Sequence, residues 1–340
     1  MIDATARLEH YLEHLAPTWL ALPADARGSF FVPSKLLDHA TALGVEATAY
    51  EGGQPPFDES ADPVLVAATQ DLRRARAARR PIAYQGHGVG QSFVNADGSR
   101  RKGYSGGEGF EGVSLFLAVN DRHAALWRDA YPGAEVEVVG APKLGGRFRE
   151  AGPRGDLVVV SFHWRAGIGI PEATTAIGHY GRAIRPLARH FRVAMHSHPR
   201  IRREARTLAA AAGVPFIEHF DEVLDTAAVY VNDASSTLYE FAAFGGPVVV
   251  LNAPAFRRDV EHGLRFWDCA DVGVQVDRPG DLETAVSVAL DDLPAIARRR
   301  REISAELYPY DDPAERAAAA VLRLAGRSTG SLTGALEAAR

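Results

Sequence analysis

The 340-residue sequence is short of several residue types, and each shortage excludes something. A single cysteine, Cys269, rules out an intramolecular disulfide and any zinc or iron–sulfur site built from several thiolates. Lysine is nearly missing: Lys35, Lys102 and Lys143 are the only ones among 38 basic residues, and the rest are arginine. Set against 43 acidic residues, they leave a formal net charge of −5, so there is no surplus positive field to gather DNA or RNA. No apolar run approaches the ~18 residues of a membrane span. The amino terminus also lacks the charged and apolar regions of a secretory signal, so a cytoplasmic protein is expected, with peripheral contact at the inner membrane face at most.

What is present is ordinary globular material, 46% hydrophobic and 24% charged. At roughly 100–200 residues per domain the length suggests two domains. Leu8, Tyr11, Leu12 and Leu15 recur at helical spacing and predict an amphipathic helix over residues 1–20. From Ser29 onward short apolar runs alternate with helical stretches. Strands are expected at 30–32, 45–50, 64–67, 82–84, 113–119 and 136–139, with helices at 34–43, 71–80 and 121–131 between them. The stretch Gly140–Asp156, with five glycines and two prolines, breaks the pattern. A second series follows, with strands at 157–161, 192–195, 214–217, 229–232 and 247–251 and helices at 174–189, 202–212, 221–227 and 236–244. Strands alternating with helices imply parallel sheets with right-handed crossovers. The expected organisation is an amino-terminal Rossmann-like domain at 1–145, a linker at 146–156, a second Rossmann-like domain at 157–310, a helix at 311–326 and a flexible tail at 327–340, with the two sheets facing across a cleft.

In such sheets ligands sit at the carboxyl ends of the strands, and chemistry is sought there. Gly107–Gly112 spells G-x-G-x-x-G, but it precedes a strand instead of following one, so it reads as a loop and not as a dinucleotide site. Gly86-His87-Gly88 follows the strand at 82–84; glycines there allow close backbone approach, and a near-neutral histidine can take a proton from a hydroxyl. His196-Ser197-His198-Pro199 ends the strand at 192–195. Alternate histidines could ligate a metal, but no second compact ligand cluster accompanies them, which favours one functional histidine, His198, donating to a phosphate oxygen. Asn232-Asp233-Ala234-Ser235-Ser236-Thr237 runs from a strand end into a helix. Unpaired amides and three hydroxyls there suit phosphate oxygens, and Glu240, one turn on, could accept bonds from ribose hydroxyls. No D-x-D pair occurs, so the carboxylates with which single-domain nucleotide-sugar transferases hold a metal are lacking. A nucleotide diphosphate would be neutralised by helix ends, histidines and arginines, with no metal or other cofactor.

On these residues the chain resembles the CDP-glycerol glycerophosphotransferase family, the polymerases and primases of wall teichoic acid. The resemblance is carried by His87-Gly88, by His198-Pro199, by Asp233-Ala234-Ser235-Ser236 with Glu240 and Gly246-Pro247-Val248, and by Asp312-Pro313-Ala314-Glu315-Arg316. Ala234 stands at the family's aromatic position, Glu240 at its aspartate and Gly246 at its lysine or asparagine. The resemblance implies an α/β protein of GT-B type that binds a CDP-linked polyol phosphate mainly through its second domain. His198, Ser235 and Ser236 would hold the phosphates, with Asp233 and Glu240 nearby, and Thr237 and Gly88 would complete the donor- and phosphate-binding set. His87 would deprotonate an acceptor hydroxyl, on a glycan, polymer or lipid-linked molecule, for attack at phosphorus that releases CMP, and Arg200, Arg257 or Arg258 could balance the departing charge. Three other readings stay open: a glycosyltransferase or UDP-N-acetylglucosamine 2-epimerase-like enzyme using a UDP-sugar, a nucleotide-binding module without catalysis, and a metal hydrolase built on His196 and His198.

Overall fold

Strands rich in Val, Ile, Leu, Phe and Ala on both faces must be covered by helices on both sides, as in doubly wound sheets. The computed structural model bears this out in two separate units. It describes residues 1–51, 53, 55–86, 88–89, 99, 103, 105–145, 155–165, 174–256 and 267–326. The first unit comprises Met1–Gly88, Arg100–Gly146 and Tyr308–Arg340, and the second Val89–Ser99 and Arg147–Leu307.

The first unit holds a parallel sheet of seven strands: β1 (Ile2–Thr5), β2 (Arg27–Pro33), β3 (Ala47–Tyr50), β4 (Val64–Val66), β5 (Ile82–Gln85), β6 (Leu115–Ala118) and β7 (Glu135–Val138), in the order β3-β2-β1-β4-β5-β6-β7. Helix α1 (Glu9–Ala21) and the closing helix Pro313–Leu324 bury one face of it with Ile2, Ala4, Leu12, Leu15 and Val321. Short α2 (Leu37–Ala42) follows β2, while α3 (Thr69–Ala77) and α4 (Asp121–Ala130) cover the other face with Leu72, Ala75, Tyr84, Phe116 and Trp127. Phe110, inside the Gly107–Gly112 loop, packs its ring edge-on against Tyr84 at 4.9 Å and Trp127 at 4.7 Å, so the glycines frame a core aromatic ahead of β6. Lys143 and His39 lie 2.9 and 3.4 Å from Glu13. Burial opposes ionisation of Glu13, yet the two cations hold its carboxyl well below the usual range. The glycine-rich stretch therefore begins as part of this unit; residues 146–154 and the tail 327–340 lie outside the described residues.

The second unit holds a parallel sheet of five: β8 (Leu157–Phe162), β9 (Val193–Ser197), β10 (Ala227–Asn232), β11 (Val248–Leu251) and β12 (Val274–Val276), ordered β12-β11-β10-β8-β9. Helices α5 (Ile177–Tyr180), α6 (Ile184–Leu187), α7 (Arg202–Ala212), α8 (Phe220–Thr226), α9 (Thr237–Ala243), α10 (Leu282–Leu290) and α11 (Pro294–Leu307) complete it. Buried Arg300 of α11 bonds Asp292 at 2.8 Å and the Gly245 carbonyl at 3.1 Å, fixing α11 to the turn after α9.

Three expectations are corrected. Residues 1–20 are not one helix: β1 precedes α1 and lies between β2 and β4. Its polar Asp3 is tolerated because Ser29 N–H donates to it at 2.7 Å and Arg80 pairs with it, and a Cβ on Gly28 would fall 2.2 Å from its Oδ1. The helix expected at 174–189 is two short ones, joined through a 3₁₀ turn at Gly181–Ala183 and carrying Pro186, which lacks an N–H. The strand expected at 214–217 is reduced by Pro215 to one parallel bridge between Met195 and Phe216.

Both orders have a switch point, between β1 and β4 in the first unit and between β8 and β10 in the second, and ligands bind outside the strand ends at such points. No helix among the described residues is long and apolar enough to cross a membrane.

Candidate functional site

Parallel register brings the carboxyl ends of β9, β8 and β10 side by side, with Phe162 opposite Ser197 and Ser161 opposite Asn232. The residues that follow these ends, His198, His163 and Asp233, are therefore neighbours although far apart in the chain.

Asp233 is the centre of this group. One carboxylate oxygen accepts from the His163 and Ala234 amides, both at 2.7 Å, and the other from the Ala176 amide at 2.7 Å and the Thr175 hydroxyl at 3.2 Å. Burial pushes its pKa up, and the three amides and the hydroxyl pull it back. With both oxygens occupied, Asp233 ties together the loops after β8 and β10 and the start of α5. Asp233, expected in the donor-binding set, thus has both carboxylate oxygens engaged by the protein itself.

His163 is the residue that sequence reasoning passed over. It follows β8 directly, is buried, and stands with its ring 5.2 Å from that of His198. The strand-end rule that singled out His198 would have found it. His198 is held on both sides: its amide donates to the Phe162 carbonyl at 3.1 Å, and its Nδ1 accepts the Arg200 amide at 3.2 Å. An Nδ1 that accepts leaves the ring proton on Nε2, so the neutral imidazole presents a donor, as a phosphate oxygen requires. The Arg200 guanidinium lies 4.1 Å over the Trp164 ring. His196, two residues earlier, is buried with Nδ1 donating to the Ile217 carbonyl at 3.1 Å. The two histidines of the H-x-H thus have different surroundings, and among the described residues no group of three or more His, Cys, Asp or Glu could hold a metal ion.

The serine segment divides similarly. Asn232 Oδ1 accepts the Ser235 amide at 2.9 Å, which turns the chain from β10 into α9. Thr237 Oγ1 shares a hydrogen bond of 2.9 Å with the Tyr230 hydroxyl, which braces the start of α9 against β10. Ser235 and Ser236 stay half-buried, and Ser236 precedes α9 without capping it. Glu240, in the first turn of α9, is buried at 3% exposure. Gly246 has no room for a side chain: a Cβ there would lie 2.1 Å from the Phe241 ring. Gly88 has a φ of +74°, the left-handed region natural to glycine, while its neighbour His87 lies outside the described residues, as do Arg257 and Arg258.

No protein-family model and no curated protein matches this sequence. Solved structures do match in fold. S. aureus MnaA, in a co-structure with UDP, superposes with a TM-score of 0.64 at 13% identity, covering 96% of this chain and 97% of that one. The wall teichoic acid polymerase TagF, soaked with CDPG, gives 0.63 at 11% identity over 99% and 90%. UDP-GlcNAc 2-epimerase from Neisseria meningitidis, bound to UDP-GlcNAc, gives 0.56 at 14% identity over 95% and 98%. The fold is accordingly of GT-B type, two Rossmann-like units each built on a parallel sheet.

Proposed function

We propose that the protein is a nucleotide-diphosphate-dependent transferase that moves a polyol phosphate from a CDP-linked donor to an acceptor hydroxyl and releases CMP. The observation that carries this reading is the convergence of His163, His198, Ser235 and Ser236 on the switch point of the second unit, around a carboxylate already saturated by backbone amides. Such a site offers hydrogen-bond donors, and positioned donors are what phosphoryl transfer needs most. His198 Nε2–H and the two serine hydroxyls bind the donor's phosphates. His87, following β5, takes the acceptor proton; the acceptor oxygen forms its bond to the polyol-bearing phosphorus as the bond to CMP breaks. The likeness to TagF with CDPG supports this donor class.

A second reading, a UDP-sugar epimerase or glycosyltransferase, is favoured by the equal likeness to MnaA with UDP and by the fold shared with an epimerase bound to UDP-GlcNAc. Incubation with CDP-glycerol and with UDP-GlcNAc, followed by chromatography of the nucleotides and sugars, separates the readings. CMP released from CDP-glycerol supports the first. UDP or an epimerised sugar, with CDP-glycerol intact, transfers the assignment to the second. Intact nucleotides that nonetheless bind make the protein a non-catalytic module.

A further inference from the structure

Beside these strand ends, the second unit carries a groove of about 710 Å³ between α5 and α7, within the size range of small-molecule sites. Its lining is apolar at Ile177, Ile201, Leu208 and Ala211, and charged at Arg200, Arg203 and Glu204. The sequence explains the arrangement. Ala205 and Ala209 of α7 are buried, and the adjacent face at positions 201, 204, 208 and 211 follows helical spacing into the groove. The opposite wall is bare at Gly178, where an added Cβ would meet nothing within 4 Å.

The arginines of this region fall into two sets. Arg202 and Arg206 both pair with Glu218. Among the described residues, exposed Arg203 has no ion pair, and the Arg200 guanidinium has none either and lies over the Trp164 ring. Two unpaired guanidiniums against the single carboxylate of Glu204 leave the groove one net positive charge beside an apolar wall.

We infer that this groove binds an anionic amphiphile, an alkyl phosphate monoester whose chain lies along Ile177, Ile201 and Leu208 and whose phosphate meets Arg200 and Arg203. Charge complementarity selects the anion, and the apolar wall selects a chain over free phosphate. The groove needs no nucleotide, so the inference stands or falls independently of the transferase reading.

Calorimetric titration of the nucleotide-free protein with hexyl phosphate, octyl phosphate, octanol and inorganic phosphate tests it. One-to-one binding is expected, tightening about tenfold from hexyl to octyl phosphate, with octanol and inorganic phosphate at least tenfold weaker than octyl phosphate. Gly178→Leu, which improves helix propensity while filling the groove, should weaken octyl phosphate at least tenfold. Arg203→Ala, on the exposed face of α7, should weaken octyl phosphate and leave octanol unchanged, and it keeps the test open if Gly178→Leu does not fold. Equal affinity for inorganic and octyl phosphate would reveal a plain anion site and overturn the inference. So would octyl phosphate binding that neither variant alters, or binding to anionic vesicles alone with no response to the monomeric alkyl phosphates.

Discussion

The switch points of the two sheets make an instructive pair. In the second unit, between β8 and β10, buried Asp233 has four donors on its two oxygens. In the first, between β1 and β4, buried Asp71 in the opening turn of α3 has one, Arg74 at 3.5 Å, and its Oδ2 has no hydrogen-bond partner. Thr5, at the end of β1 on the face that α3 covers, also keeps a buried hydroxyl without a partner. Burial raises the Asp71 carboxyl to about 7, against the lowering effect of Arg7 and Arg74. Carboxylates that follow switch-point strands, one directly after β10 and one in the helix after β4, are thus a locked scaffold in one unit and an acid of raised pKa in the other. Topology places a carboxylate at a switch point, and the donors around it decide whether it organises loops or exchanges a proton.

The contrast can be broken most forcefully at Asp233. Asp233→Ala leaves three buried amides without an acceptor, and urea denaturation should show a loss of about 5 kcal/mol. A loss under 1 kcal/mol would mean that the carboxylate does not hold these loops together.

Asp71 should behave in the opposite way. Its folded pKa of about 7 lies above the ordinary 3.8, so between those values the native state keeps a proton that the unfolded chain has released. Stability should therefore fall as pH rises from about 4 to about 7, by at most about 4 kcal/mol, and level off above. Asp71→Asn should remove that slope and raise the melting temperature at pH 8; an unchanged slope would place the titration elsewhere.

Within the second unit the hydroxyls should separate. Ser236→Ala is expected to weaken nucleotide binding about tenfold with little change in stability, because its hydroxyl caps no helix amide. Thr237→Val should do the reverse, costing about 1 kcal/mol of stability through the lost bond to Tyr230 and leaving affinity unchanged.

Much of this architecture was legible in the residues. The apolar runs marked ten of the twelve strands among the described residues. β1 was not legible, because four residues reading Ile-Asp-Ala-Thr carry too little pattern beside the strong helical spacing of Leu8 to Leu15. The pairing of Phe216 survives as one bridge for want of a donor at Pro215, which the apolar run conceals. At the site, His198 and the two serines followed from the strand-end rule. The roles of Asp233 and Thr237 did not, since their partners, His163, Ala176 and Tyr230, are set by tertiary register and lie up to 70 residues away. Hydroxyls and carboxylates read as ligand-facing in a sequence can be consumed by the scaffold, and only the fold reveals which.

The central claim is that the second unit's strand ends form a preorganised site for a nucleotide-linked phosphate. Its most direct test is calorimetric titration of CMP and CDP-glycerol into the wild-type protein and the Ser235→Ala/Ser236→Ala double variant. Saturable binding below millimolar concentration is expected for the wild type, with a loss of at least tenfold in the variant. No heat at millimolar nucleotide, or equal affinity in both proteins, would contradict it.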